Sequence, residues 1–219
     1  MTRRVVVHRF GDSLAYSASL DDEAAWVAFY KRVWPDAHVL LRVDHDGAAQ
    51  RHGIDREIIL PNGRRFTVDE KKRKDNYPDI LLEVVSRYVA PGHPDNRVGW
   101  TLDPLKRCDY VAYAIVPAGR VWLLPTELLR QATHANKTAW RRQYGIQKCE
   151  NPGYLSVSIP VPWPALAAAL GDAMVHPFDG AAVTLPTPLP SDNPDLVFAH
   201  DEPASAPLTA DDIPWGGHS

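Results

Sequence analysis

The sequence predicts an α/β sandwich, with helices packed around a central mixed β-sheet, and three observations carry that expectation. Apolar residues recur at helical spacing between Leu20 and Trp34. A continuous apolar run of strand length covers Ile80 to Val85. Two turn signatures, Pro61-Asn62-Gly63 and Pro117-Ala118-Gly119, each join a pair of β-rich runs.

Taken in order, Val5-Val6-Val7 opens the chain as a short strand. The first helix spans Leu20 to Trp34: Ser19 and Asp22 resemble a capping box, Trp26, Phe29, Tyr30 and Val33 form its buried stripe, and Pro35 stops it. Val39 to Leu41 is either a short strand or the approach to the first hairpin. The run Ile80 to Val85 has no polar alternation until Glu83, as expected of a central strand covered on both faces. Asp109 to Val116 and Arg120 to Leu124 make the second hairpin. Thr126 caps a short helix over Glu127 to Ala132, with Leu128 and Leu129 toward the sheet. Leu155, Val157 and Ile159 alternate as a late strand, and Pro164 opens a helix from Ala165 to Leu170 that Gly171 stops.

From Pro177 the composition shifts to Pro, Ala, Asp and Ser without periodicity, and 12 of the 20 prolines lie after residue 150. One domain, residues 1–176, is therefore expected to precede a disordered acidic Pro-rich tail, residues 177–219. The net charge of -3 conceals an asymmetry: residues 151–219 contain no Lys or Arg and eight acids, leaving residues 1–150 at +5. A positive domain permits a polyanionic partner such as nucleic acid. No stretch of eighteen apolar residues and no signal sequence is present, so a soluble, cytoplasmic protein without a membrane partner is expected. Cys108 and Cys149 are too few for a zinc cluster or a disulfide framework and read as two reduced thiols.

The first hairpin brings chemistry together. Pro then Asn then Gly suits a type I turn closed by a left-handed glycine, a three-residue loop. Counting outward, Leu60 faces Arg64, Ile58 faces Phe66 and Asp55 faces Asp69, with Lys71 following on the side of the two acids. The opposite side collects Ile54, Ile58, Leu60, Phe66 and Val68. A two-residue Asn62-Gly63 loop would instead pair Asp55 with Glu70 and bring up Lys72, but it would turn Phe66 and Val68 away from the apolar residues of the first strand. The preferred set is Asp55, Asp69 and Lys71, with Glu70 and Lys72 as the fallback.

Two carboxylates and a lysine on adjacent strands are the minimum apparatus for metal-dependent phosphodiester cleavage. The carboxylates of Asp55 and Asp69, with the backbone carbonyl of Glu70, offer hard oxygens to Mg²⁺ or Mn²⁺. Lys71 would orient the attacking water and stabilise charge on the phosphate. The two neighbouring acids hold it protonated, so its role is electrostatic first and general base second.

On these residues, the segment from Gln50 to Glu83, QRHGIDREIILPNGRRFTVDEKKRKDNYPDILLE, resembles the PD-(D/E)XK nuclease superfamily, most closely phage- or prophage-associated members with a GID…DEK core. The likeness is fainter through Gly99-Trp100, Leu105-Lys106, Cys108-Asp109-Tyr110 and Arg120 to Pro125. It implies a restriction-endonuclease-like sandwich, built from a helix, a three-strand meander, a helix and a further strand. The implied activity is metal-dependent hydrolysis of DNA in phage or host DNA processing. Asp55 and Asp69 match the two acids, Lys71 the lysine, and Gln50 an auxiliary polar residue. Two departures stand out: Ile54 replaces the proline of the family name, and the second acid is Asp where Glu is commoner.

Lys72, Arg73 and Lys74, with Lys106, Arg107, Arg141 and Arg142, are candidates for a phosphate-binding groove. Tyr77, Tyr88, Trp100 and Trp140 are candidates for stacking on bases, although core packing is the commoner use of tryptophan. His45 and His52 lie near the acids without a partner at ligand spacing. Asp211, Asp212, Ile213, Pro214 and Trp215 resemble the acidic tip of bacterial single-stranded-DNA-binding proteins and are a candidate docking peptide. The rival reading of the whole is a catalytically inactive nuclease-fold accessory factor that binds DNA or protein.

Overall fold

Two five-stranded mixed sheets organise the chain, where the sequence suggested one central sheet. A computed structural model describes residues 7–9 and 23–174. Ser19, Asp22 and the tail with its candidate docking peptide, Asp211 to Trp215, lie outside the described residues. The elements are β1 (Val7–Arg9), α1 (Glu23–Val33), β2 (Val39–Arg42), α2 (Gly47–Arg51), β3 (Arg56–Ile59), β4 (Arg65–Arg73), β5 (Asp79–Tyr88) and β6 (Arg97–Val98). They continue as β7 (Tyr110–Ile115), β8 (Arg120–Pro125), α3 (Thr126–Tyr144), β9 (Gln147–Asn151), β10 (Tyr154–Pro162) and α4 (Trp163–Ala173). Sheet A runs β1-β9-β10-β5-β6 and sheet B runs β2-β3-β4-β7-β8.

The β3–β4 register is the one a three-residue loop requires. Ile58 pairs with Phe66 and Arg56 with Val68. The Leu60 amide donates to the Arg64 carbonyl and the Gly63 amide to that of Leu60, both at 2.9 Å. Gly63 takes a φ of 81°, open to glycine at little strain, and the Asn62 side chain accepts from the Arg64 amide at 3.0 Å.

Sheet B separates two cores. On one face, Ile58, Val68, Ala112 and Ala114 pack against Trp26 and Tyr30 of α1. On the other, Val111, Tyr113 and Ile115 join β5, β10, α3 and α4. Ile54 belongs to this second core, whereas the sequence grouped it with Ile58. Its position before the first paired residue of β3 explains the change, since strict alternation holds only inside the ladder.

The chain order departs from the expected one in a further respect. A meander is present as β2-β3-β4, but the parallel partner of β4 is β7. The crossover between them contains β5 and β6 of sheet A rather than a helix. Two helices are also longer than expected: α3 runs 19 residues to Tyr144, and α4 passes Gly171 to Ala173. At the start of α3, Thr126 lies inside the helix and supplies no side-chain cap.

Candidate active site

Gly53 carries the chain from α2 into β3 at a φ of 67°, and its amide donates to the Gln50 carbonyl at 3.0 Å. A Cβ there would lie 2.8 Å from Cδ of Lys106 and would be strained at this φ, so glycine lets the Lys106 side chain close over the turn. Asp55 follows at once and takes up a fixed position, because its Oδ2 accepts from the backbone amide of Glu70 at 2.7 Å. Across the hairpin, Asp69 is 3% exposed, and its Oδ1 is ion-paired with Nζ of Lys71 two residues along the same pleat. The structure thus brings Asp55, Asp69 and Lys71 together on the sheet B face that looks toward β5.

Electrostatics record that crowding. Burial, and then the facing charge of Asp69, push the Asp55 carboxyl up from 3.8 to about 7, and Lys71 with the Glu70 amide reverses only part of this. For Lys71, burial disfavours the ammonium, but Asp69 and Asp55 outweigh it and raise its pKa above the ordinary lysine value. It is a fixed positive charge at neutral pH.

Glu83 of β5 joins the site from sheet A. Burial pushes it up to about 7 against the pull of Lys71, the Trp100 amide and Lys106. The apolar run around it makes it look like an incidental member of a central strand, and no signal in the sequence marks it as part of the site. The segment after β6 is pressed onto Glu83: a Cβ on Gly99 would lie 2.1 Å from the Glu83 carbonyl oxygen, and the Thr101 amide donates to that oxygen at 3.3 Å. This packing brings Trp100 in, with Nζ of Lys71 5.7 Å from its ring centroid. An adjoining cavity of about 470 Å³ is lined by Lys71, Glu83, Arg97, Trp100, Asp103 and Lys106, among others.

Several expected residues stand elsewhere. The Glu70 side chain lies on the opposite face, where Oε1 accepts from Nε of Arg56 at 2.7 Å and from the Tyr30 hydroxyl at 3.0 Å. It therefore cannot serve as a carboxylate ligand beside Asp55 and Asp69, and what it offers the site is its backbone. Pleat alternation puts Lys72 on that same far face, which removes the Glu70 and Lys72 fallback. Gln50 is turned away, its side-chain amide donating to the Asp44 carbonyl. Arg73 is engaged by Asp79 at 2.6 Å and lies over the Tyr77 ring at 4.2 Å, closing the β4–β5 connection instead of lining a groove. Lys74 is exposed in that connection. Trp140 is a core residue at 4% exposure, and Tyr88 packs against the same core. His45 is exposed beside Asp44. Neither cysteine forms a disulfide, and Cys108 contacts Thr126 Oγ1 at 3.3 Å.

Asp55 and Asp69 are the residues here that could offer carboxylate oxygens to a hard cation. Among the described residues no group of three or more His, Cys, Asp or Glu side chains is gathered to hold an ion by itself. Compared with known protein families, with curated proteins and with solved structures, the chain finds no match in any of the three. Among the described residues, no helix is long and apolar enough to cross a membrane.

Proposed function

We propose that the chain is a metal-dependent nuclease of the PD-(D/E)XK type, hydrolysing DNA phosphodiester bonds in phage or host DNA processing. The observation that carries this reading is the meeting of Asp55, Asp69 and Lys71 on one face of the hairpin, produced by one register, with Lys71 reaching the wall of the adjoining cavity. The β2-β3-β4 meander and α1 packed behind it support this reading, while the crossover to β7 through sheet A departs from the restriction-endonuclease-like order.

Asp55 and Asp69 are the residues that would hold Mg²⁺ or Mn²⁺. Bound there, the cation supplies an acidified water and positive charge for the phosphate. Asp55 must give up its proton to bind, and its pKa of about 7 places that event at neutral pH. Lys71 faces the phosphate as a fixed ammonium and stabilises the charge that builds on its oxygens. The upward shift that the two acids give it favours the electrostatic role over that of general base. The Glu70 amide keeps the Asp55 carboxylate aimed at Asp69.

Cleavage of linear, nicked and branched DNA with Mg²⁺ tests this reading. Asp55→Ala and Asp69→Ala are expected to abolish cleavage, and Lys71→Ala to slow it on the order of 10²–10³-fold, as for loss of one preorganised charge-stabilising donor. Undiminished cleavage by all three variants would exclude the site. DNA binding that weakens steeply with salt, with no hydrolysis under any divalent metal, would replace the enzyme by an inactive accessory factor of the same fold.

A further inference from the structure

We infer that the cavity beside the carboxylates is a pocket for one unpaired nucleotide, so that the substrate is a single-stranded or frayed DNA end rather than the interior of an intact duplex. This rests on the nuclease reading of the Asp55, Asp69 and Lys71 site.

Size and access come first. About 470 Å³ is within the range of small-ligand pockets and suits a single nucleotide. Asp69 has only 3% exposure, and Lys106 closes over the neighbouring Gly53 turn with its Nζ held by the Gln50 and Arg51 carbonyls at 3.2 and 3.3 Å. The acid is thus recessed, and a flexible strand adapts to a recessed site where a stacked duplex presents a stiff cylinder.

The lining chemistry agrees with an unpaired base. Trp100 offers a half-buried indole at the cavity wall, and aromatic surfaces stack on any base without sequence preference. Lys71 Nζ lies 5.7 Å from the ring centroid, so a nucleotide at this cavity wall has the site ammonium within reach of its phosphate. Arg97 and Lys106 add cations along the wall for the flanking phosphates. Glu83 and Asp103 are acceptors on the same wall, suited to the amino groups of an unpaired base edge. The indole is held in place because Gly99 sits directly against the Glu83 backbone.

The test is anisotropy binding of a fluorescein-labelled 12-nucleotide single strand and of a closed hairpin duplex of the same sequence, in EDTA, at two salt concentrations. The full chain is expected to prefer the single strand at least tenfold. Trp100→Ala should weaken single-strand binding roughly tenfold, the usual scale for losing one stacked base, while Trp100→Phe restores most of it and duplex binding barely moves. Arg97→Ala, at an exposed position, should weaken single-strand binding and lower its salt slope whether or not Trp100→Ala folds. Equal affinity for the two DNA forms, or full single-strand binding by both Trp100→Ala and Arg97→Ala, overturns the pocket. The Asp55→Asn, Asp69→Asn double variant separates the two ideas. Trp100-dependent single-strand binding without cleavage by any form of the protein keeps the pocket and discards the nuclease. Metal-dependent cleavage that favours intact duplex does the reverse.

Discussion

Arg56 has no exposed surface, yet it carries a full charge on the face of sheet B opposite the proposed site. Nη1 and Nη2 donate to the two Glu23 oxygens at 2.8 and 2.7 Å, and Nε donates to Glu70 at 2.7 Å. Position 56 has the parity of the apolar face, and an arginine there is the one polar break in that stripe; nothing in the sequence pattern announced that it would be buried among acids. Arg56→Ala strands Glu70 without its cation and is expected to destabilise the fold by about 3–5 kcal/mol, as for one partner removed from a buried pair. Urea unfolding checks this, and an Arg56→Met, Glu70→Gln double variant should recover part of the loss. On the other face, Asp55 and Glu83 bind protons more readily when folded, at about 7 against ordinary values of 3.8 and 4.5. The stability they confer is complete below about pH 4 and is lost as the pH rises to about 7, because the folded state holds protons that the unfolded chain has released. Asp55→Asn removes one of these groups, so its melting temperature should fall less between pH 4 and 7 than that of the parent protein. Parallel slopes in thermal melts across that window would contradict the assignment.

At the scale of elements, the hairpin was legible because two independent constraints coincide in it: the turn chemistry of Pro61-Asn62-Gly63 and the burial of Ile58, Phe66 and Val68 admit one register together. Glu83 and Gly99 were not legible for the opposite reason. Their importance comes from a contact between sheet A and the segment after β6, which no local periodicity encodes. Gly99→Ala places a methyl group where the Glu83 carbonyl stands, at 2.1 Å, and backbone there cannot rotate aside. It should lower the melting temperature by several degrees and weaken single-strand binding without touching any charged group. An unaltered melting curve would show that the segment is less tightly seated than the structure has it. The length of α3 escaped the sequence for a simpler reason: most of its side chains are polar, and its buried face after Ala132 rests on Thr133 and Trp140 alone.

Across the whole molecule, the proposed site is a joint between sheets. Sheet B supplies Asp55, Asp69 and Lys71, and sheet A supplies Glu83, with Trp100 and Lys106 from the connection that returns to β7. The sequence identified most strands but could not apportion them. Ile80 to Val85 reads as a central strand, and it is one, between β10 and β6 of a sheet the hairpin does not belong to. A cation bound at the joint would engage only the folded arrangement, because Asp55 and Asp69 are 14 residues apart in sequence and meet through the hairpin. Such a ligand stabilises by mass action, about 2.7 kcal/mol at a hundred times its Kd. Mg²⁺ is therefore expected to raise the melting temperature by several degrees at pH 8. The shift should shrink toward pH 6, where a proton competes for Asp55, and vanish in the Asp55→Asn, Asp69→Asn double variant. Ca²⁺, also a hard oxygen-seeking ion, should reproduce much of the shift, and K⁺ at matched ionic strength should not. A rise that survives in the double variant would place the cation elsewhere on the protein, and no rise at any pH would leave Asp55 to the Glu70 amide and Asp69 to Lys71, without a cation.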